Sequence, residues 1–128
     1  MTDTIEINGK KLRIASNALL PRLYRYHFGR DLVVDMRKFG KAYKQVGIDE
    51  SGKPIYDITD EADTSILENV SWLMLRQGGE DVPDTIEAWL EQTDMFDLYE
   101  IEHACLSLWQ KSERQTATLK KKGGRPQG

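Results

Sequence analysis

Apolar and polar residues alternate at the start of the chain, in two short runs that flank Asn8-Gly9. The runs are Ile5-Glu6-Ile7 and Leu12-Arg13-Ile14. Asn-Gly suits a type I′ turn because both residues tolerate positive φ. The pattern therefore predicts a β-hairpin over residues 4–15. Since an isolated hairpin is marginal in water, we expect its apolar face to pack on helices.

Beyond the hairpin, the apolar spacing changes to three and four residues, which is the period of an amphipathic helix. A first helix is predicted to be capped by Ser16 or Asn17 and to run to about Phe28 with Gly29 as its stop, although Pro21 suits only a first turn and favours a later start. Asp31 is predicted to cap a second helix. Residues 47–58 are expected to form an exposed loop or a small hairpin. The apolar stripe of the second helix comprises Leu32, Met36, Phe39 and Tyr43.

A third helix is predicted to begin near Asp60 or Asp63 and to end at Gly78-Gly79. Its inner face comprises Ile66, Leu67, Val70, Leu73, Met74 and Gln77.

Two acidic pairs with capping-box spacing predict where a fourth and a fifth helix begin. Asp84 is followed three residues later by Glu87, and Asp97 is followed by Glu100. Phe96 would precede the second cap and form a hydrophobic staple with Ile101 in the first turns of the fifth helix.

The apolar stripe of the fifth helix ends near Trp109, and the polar run from Gln110 to Thr118 is expected to fray. Residues 116–128 would then form a disordered basic tail that carries Lys120, Lys121, Lys122 and Arg125. The pattern as a whole predicts one mostly α domain over residues 1–115. In this domain a short N-terminal β-hairpin packs on a compact bundle of about five helices.

The length of 128 residues suits one domain. No apolar run approaches the about 20 residues that a membrane span needs. The polar, acidic start is unlike a secretory signal, and the single Cys105 cannot form an internal disulfide. These features predict a soluble, intracellular protein.

Charge is distributed unevenly along the chain. Residues 10–44 carry ten bases and two acids, whereas residues 49–102 carry sixteen acids and two bases. Such a split can steer a partner or orient self-association, or the two halves can attract each other within the fold.

No residue pattern predicts catalysis, a metal site or a cofactor. His27 and His103 lack a second ligand at zinc spacing, and His27 is expected to pack on an apolar face. Cys105 lies in a helical stripe, where a buried and inert thiol is expected. Glu100 and Glu102 are interpreted as a solvated helix face rather than as a general acid and base.

Trp72, Trp89 and Trp109 can serve as core residues or as binding anchors, because tryptophan buries a large area and keeps a polar N–H. Nucleic-acid binding is the alternative function, since the first two helices combine many bases with tyrosines. The acidic pI of about 5.4 and the absence of a nucleic-acid-binding motif count against it.

Several segments together resemble the tail assembly chaperones of long-tailed phages and prophages of Gram-positive bacteria. The first are the Ile-x-Ile-Asn-Gly-Lys hairpin at residues 5–10 and the Phe-Gly-Arg-Asp-Leu segment at residues 28–32. The more specific ones are Ile-Glu-x-Trp-Leu at residues 86–90 and Met-Phe-Asp-Leu-Tyr at residues 95–99. A Leu-Trp pair at residues 108–109 and a Lys-rich end complete the resemblance, which covers nearly the whole chain.

The resemblance implies a protein without enzymatic activity that acts in the host cytoplasm and is absent from the mature virion. Such chaperones bind the tape measure protein, keep it soluble and help to recruit the tail tube protein. Many are made in two lengths by a ribosomal frameshift, and codons 120–122 would suit a slippery adenine run. Within this framework, the side chains expected first at the partner surface are Trp89, Phe96, Tyr99 and Trp109, which are equally good core candidates.

Overall fold

The computed structural model describes residues 1–58 and 63–123. It shows five helices and two two-stranded antiparallel sheets in these residues. The mostly α class is confirmed, but the second sheet means that the fold is not a hairpin on helices alone. The elements are β1 (Thr2–Ile7), β2 (Lys10–Ala15), α1 (Leu19–Phe28), α2 (Leu32–Ala42), β3 (Tyr43–Ile48), β4 (Pro54–Ile58), α3 (Ser65–Gln77), α4 (Ile86–Gln92) and α5 (Met95–Gly123).

The predicted N-terminal hairpin is confirmed as β1 and β2. Asn8 and Gly9 both have positive φ, at 52° and 76°, as a type I′ turn requires. Ile7 and Ile14 are buried against the helices. β2 also approaches the end of α3 so closely that a Cβ at Gly78 would overlap the backbone carbonyl of Arg13. A glycine is therefore required at this crossing.

The first two helices are joined by hydrogen bonds to the buried side chain of Asp35. Its carboxylate accepts from the Tyr24 hydroxyl at 2.7 Å and from Arg30 Nε and Nη2 at 2.6 and 2.9 Å. Asp31 caps α2 as predicted, because its Oδ1 accepts from the Val34 N–H at 3.0 Å. These contacts fix α2 against α1.

The chain after α2 differs from the prediction. Tyr43 begins β3 instead of continuing the stripe of α2, and the residues that follow form the hairpin of β3 and β4. Of the two alternatives for residues 47–58, the small hairpin is confirmed. Its turn is held by Asp49, whose Oδ1 accepts from the backbone N–H groups of Ser51 and Lys53.

Both predicted capping boxes are wrong. α4 is capped by Thr85, whose Oγ1 accepts from the Ala88 N–H. α5 begins at Met95, and Asp94 accepts from its first N–H groups, so Phe96 lies inside the helix and forms no staple. Asp97 instead accepts a 2.7 Å hydrogen bond from the Asn8 side chain and so attaches α5 to the N-terminal hairpin.

α3 lies at the centre of the core, and its partners include α5, α1 and β2. Trp72, Leu73 and Met74 are nearly inaccessible to solvent there. α5 continues to Gly123. The backbone from Gln110 onward is therefore helical, and the prediction that it frays is wrong. The remaining predicted tail, including Arg125, lies outside the described residues.

Candidate partner-binding surfaces

A groove of about 910 Å³ lies between the N-terminal segment, α2 and the second half of α5. Its apolar lining comes from Val33 and Met36 of α2 and from Leu106 and Trp109 of α5. Met36 and Leu106 are themselves buried, whereas Val33 is 44% exposed. The accessible apolar surface of the groove therefore comes mainly from Val33 and from Met1, which is 41% exposed, and an open site of this kind can bind an amphipathic helix.

The rim of the groove is charged. Arg37 and Lys41 are four residues apart on α2 and line the same side, where both are exposed. Glu113 is the acidic residue of the lining, on α5. The rim thus has a net positive charge along α2, where it would attract carboxylates.

Trp109 has an unsatisfied hydrogen-bonding group. Its indole N–H is buried and has no hydrogen-bond partner, whereas the indole of Trp72 donates to the Pro83 carbonyl at 3.0 Å. An unpaired buried donor destabilises a fold by about 1–3 kcal/mol. The indole N–H of Trp109 therefore does not help to hold this side chain in place.

A second apolar surface lies at the start of α5. Met95, Phe96 and Tyr99 are 61%, 75% and 57% exposed, and Tyr99 neighbours the other two on the helix because it lies four residues after Met95 and three after Phe96. We call these three residues, with the exposed Asp94 and Glu100 of the same segment, the acidic patch. Phe96 and Trp109 are thirteen positions apart on one helix, which places the patch about 20 Å from the groove.

The four predicted partner-binding residues do not form one surface. Trp89 is 3% exposed and belongs to the core, Phe96 and Tyr99 belong to the acidic patch, and Trp109 lines the groove. Lys120, Lys121 and Lys122 lie on the last turns of α5, where only the backbone is described. The sequence interpretation missed the contribution of α2 to the groove. Val33 was an available signal, because it is an apolar residue outside the predicted buried stripe of that helix and could therefore be expected on the surface.

Glu102 is buried, contrary to the prediction that it lies on a solvated helix face. It is 8% exposed on the inner side of α5, where burial and the nearby Glu68 raise its pKa to about 7. Cys105 is fully buried as expected, and burial raises the pKa of its thiol to about 12. Such a thiol is a poor nucleophile because the thiolate is strongly disfavoured.

The two histidines contact aromatic rings. The His27 ring lies edge-on to Trp72 with ring centroids 5.0 Å apart, although His27 is exposed overall. The ring centroids of His103 and Tyr56 of β4 are 5.1 Å apart. Within residues 1–58 and 63–123, no group of three or more His, Cys, Asp or Glu side chains is arranged to hold a metal ion.

No helix in the described part of the chain combines the length and hydropathy needed to span a membrane. Comparisons of the chain with protein-family models, with curated proteins and with solved structures found no match.

Proposed function

We propose that this chain is a tail assembly chaperone that binds an amphipathic helix of a phage tape measure protein in the groove. The observation that carries the proposal is the open apolar groove with a charged rim, lined by Val33, Met36 and Trp109. The resemblance of the segments at residues 86–90 and 95–99 to this class of protein supplies the identity of the partner.

The physical requirements of the role agree with the groove. A long helical partner exposes apolar stripes that aggregate unless another surface covers them. Methionine and tryptophan provide adaptable contact area for such a stripe. The exposed Arg37 and Lys41 would select a helix with carboxylates beside its apolar face.

The remaining parts of the role are proposals that follow from the same resemblance. The protein acts in the cytoplasm of the bacterial host, is left out of the mature virion, and works by binding, without catalysis or a cofactor. It helps to recruit the tail tube protein through a longer form made by frameshifting near codons 120–122.

Two neighbouring valines on α2 allow a matched test. Val33 and Val34 are 44% and 42% exposed, but only Val33 lines the groove. Co-expression with the tape measure protein should give a soluble complex for the wild type and for Val34→Asp. Val33→Asp should lower the yield of complex at least about tenfold, since a carboxylate in an apolar contact costs more than about 1.4 kcal/mol.

The proposed function fails if the tape measure protein stays insoluble with the wild-type chain and nothing co-purifies. If the complex forms equally well with both valine variants, the partner is bound elsewhere.

Nucleic-acid binding remains the second candidate because Tyr26 is 81% exposed on α1 and the exposed Arg22 and Arg25 lie on the same helix. Such a surface could stack a base and contact phosphates. Binding of single-stranded DNA or RNA that weakens with salt and with Arg25→Glu would favour this function.

A further inference from the structure

The two helical walls of the groove carry opposite charges. On the α2 wall, the exposed Arg37 and Lys41 lie four residues apart on the same side of the helix. On the α5 wall, the charged residue of the lining is the exposed Glu113, whereas Lys111 and Arg114 of the same helix do not line the groove. The groove is therefore basic along one side and acidic along the other.

The charges of both walls are available to a partner. Among the described residues, no ion pair joins Glu113 to Arg37 or to Lys41. The exposed surface of Val33 and Met1 adds apolar contact area to the same groove. A docked helix would thus contact an apolar floor and two rims of opposite sign.

We propose that the groove fixes the direction of the amphipathic helix that it binds, because it accepts a helix with oppositely charged flanks. The acidic flank of the partner contacts Arg37 and Lys41, and the basic flank contacts Glu113. This inference rests on the proposed function, in which the groove binds an amphipathic helix. It narrows the class of partner to helices that carry carboxylates on one side of the apolar stripe and bases on the other.

The direction follows from the geometry of a helix. A helix that is turned end for end, with its apolar stripe still on the floor of the groove, exchanges its left and right flanks. In the reversed direction its bases would face Arg37 and Lys41, and its carboxylates would face Glu113. Like charges brought together at an interface disfavour that arrangement, whereas the apolar floor contributes to binding in both directions.

Two synthetic peptides of identical composition test this inference on the full chain. Each has about 18 residues, enough for a stable helix, and an apolar stripe of leucines. The first peptide carries Glu on the left flank and Lys on the right flank, and the second has these two flanks exchanged. Because the exchange reverses the favoured direction and keeps every contact, both peptides should bind with similar Kd.

Paramagnetic broadening measures the direction. A nitroxide at the N-terminus of the peptide broadens nearby amide resonances, and Val33 and Lys41 are suitable reporters because they lie about 12 Å apart along the α2 wall. The first peptide should broaden mainly one reporter, and the second peptide should broaden mainly the other. We expect one direction to be favoured about tenfold, and we expect added salt to reduce this preference because the rim charges are exposed.

Substitutions of the rim give the second measurement. Glu113→Lys makes both walls basic and should remove most of the preference. The triple variant Arg37→Glu, Lys41→Glu and Glu113→Lys exchanges the charges of the walls and should reverse the direction of each peptide. Glu50→Lys is the matched control, because it makes the same change of charge at an exposed residue between β3 and β4, and it should keep the wild-type pattern.

Several results would overturn the inference. Both reporters could be broadened equally, both peptides could broaden the same reporter, or neither peptide could bind at millimolar concentration. A folded triple variant that keeps the wild-type direction would also contradict it, and if this variant does not fold, the exchange of flanks in the peptides decides alone.

The inference and the proposed function can fail separately. If Val33→Asp weakens binding of a peptide that docks in both directions, the groove binds helices but does not fix their direction. If the peptides dock in one direction and the tape measure protein forms no complex, the proposed function fails alone.

Discussion

The groove and the acidic patch lie on the same helix but are built in different ways. The groove needs α2, the N-terminal segment and α5 to meet, and its lining includes residues as far apart in sequence as Met1 and Glu113. The patch needs little more than the first turns of α5, where Met95, Phe96 and Tyr99 are neighbours because of helical geometry. The groove therefore depends on tertiary packing, whereas the patch depends on local structure.

This difference also sets how sensitive each surface is to substitution. The groove shares Met36 and Leu106 with the hydrophobic core, so changes beneath it alter stability as well as binding. The apolar side chains of the patch are exposed, and changes at Phe96 or Tyr99 should leave stability within about 0.5 kcal/mol, whereas Asp94 also caps α5. Substitutions outside both surfaces that weaken tertiary packing should therefore impair the groove and leave the patch intact.

The largest expected effect comes from Asp35→Ala, which removes the acceptor that fixes α2 against α1. The buried Tyr24 hydroxyl and the Arg30 guanidinium would lose their shared partner. The Arg30 side chain is 49% exposed and can be hydrated, so the loss comes mainly from leaving the buried Tyr24 hydroxyl without its acceptor, which costs up to about 3 kcal/mol. We expect that loss in the free energy of unfolding measured with urea, together with weaker binding at the groove.

Asp31→Ala is the matched control on the same helix, since it removes only the cap and should cost about 1 kcal/mol. The effect of Asp35 should also depend on pH. The hydrogen bonds from Arg30 hold the pKa of Asp35 below its ordinary value of 3.8. The wild type therefore loses this stabilisation as the pH falls below about 4, and the difference from Asp35→Ala should shrink there. An equal loss from both variants would show that the hydrogen bonds to Asp35 do not hold the groove wall.

Glu102→Gln tests the segment of α5 that connects the two surfaces. The pKa of Glu102 is raised from 4.5 to about 7, so the folded state binds its proton more tightly than the unfolded state. Stability from this residue is therefore complete below about pH 4.5 and is lost as the pH rises through 7. At about 1.4 kcal/mol per pH unit, the substitution should raise the free energy of unfolding by up to about 3 kcal/mol at pH 8.

Urea unfolding near pH 4.5 and near pH 8 measures this difference. Glu100→Gln is the control, because Glu100 is exposed two residues earlier and its substitution should change stability by less than about 0.5 kcal/mol. If Glu102→Gln has the same small effect at both pH values, the carboxylate is solvated in solution and the sequence interpretation was right.

The parts of the fold that could be predicted are those fixed by neighbours in sequence. Asn8-Gly9 determined the first hairpin, Asp31 the start of α2, and Gly29 the end of α1. The predicted caps of α4 and α5 failed because each start offers two candidates with similar chemistry, Asp84 and Thr85 for α4 and Asp94 and Asp97 for α5. For α5, the contact with Asn8 engages Asp97 and leaves Asp94 as the cap.

The features that escaped prediction depend on contacts between distant segments. Glu102 looked solvated beside Glu100, yet Leu98 and Leu106 lie four residues to either side of it and widen the buried face of α5. The groove could not be predicted because its walls come from three segments whose spacing only the fold determines. Phe96 and Tyr99 were predicted as partner-binding residues, but the predicted cap at Asp97 placed Phe96 before the helix instead of on its exposed face.

The smallest expected effect comes from Gly40→Ala, which separates the stability of the groove wall from its capacity to bind. Gly40 lies in α2, lines the groove and has no heavy atom within 4 Å of an added Cβ. Alanine favours a helix over glycine by about 1 kcal/mol, so the variant should unfold at a slightly higher urea concentration. The new methyl group would protrude into the groove and should weaken docking of a helix by a few-fold.

Gly47→Ala provides a glycine control outside the groove, on β3, again with open space around the added Cβ. It should leave the tape measure complex unchanged. A Gly40→Ala protein that is more stable and yet binds less would show that the groove surface itself, rather than the rigidity of α2, determines recognition. If binding instead increases together with stability, the order of α2 is what limits docking. The groove would then depend on local helix structure, as the patch does.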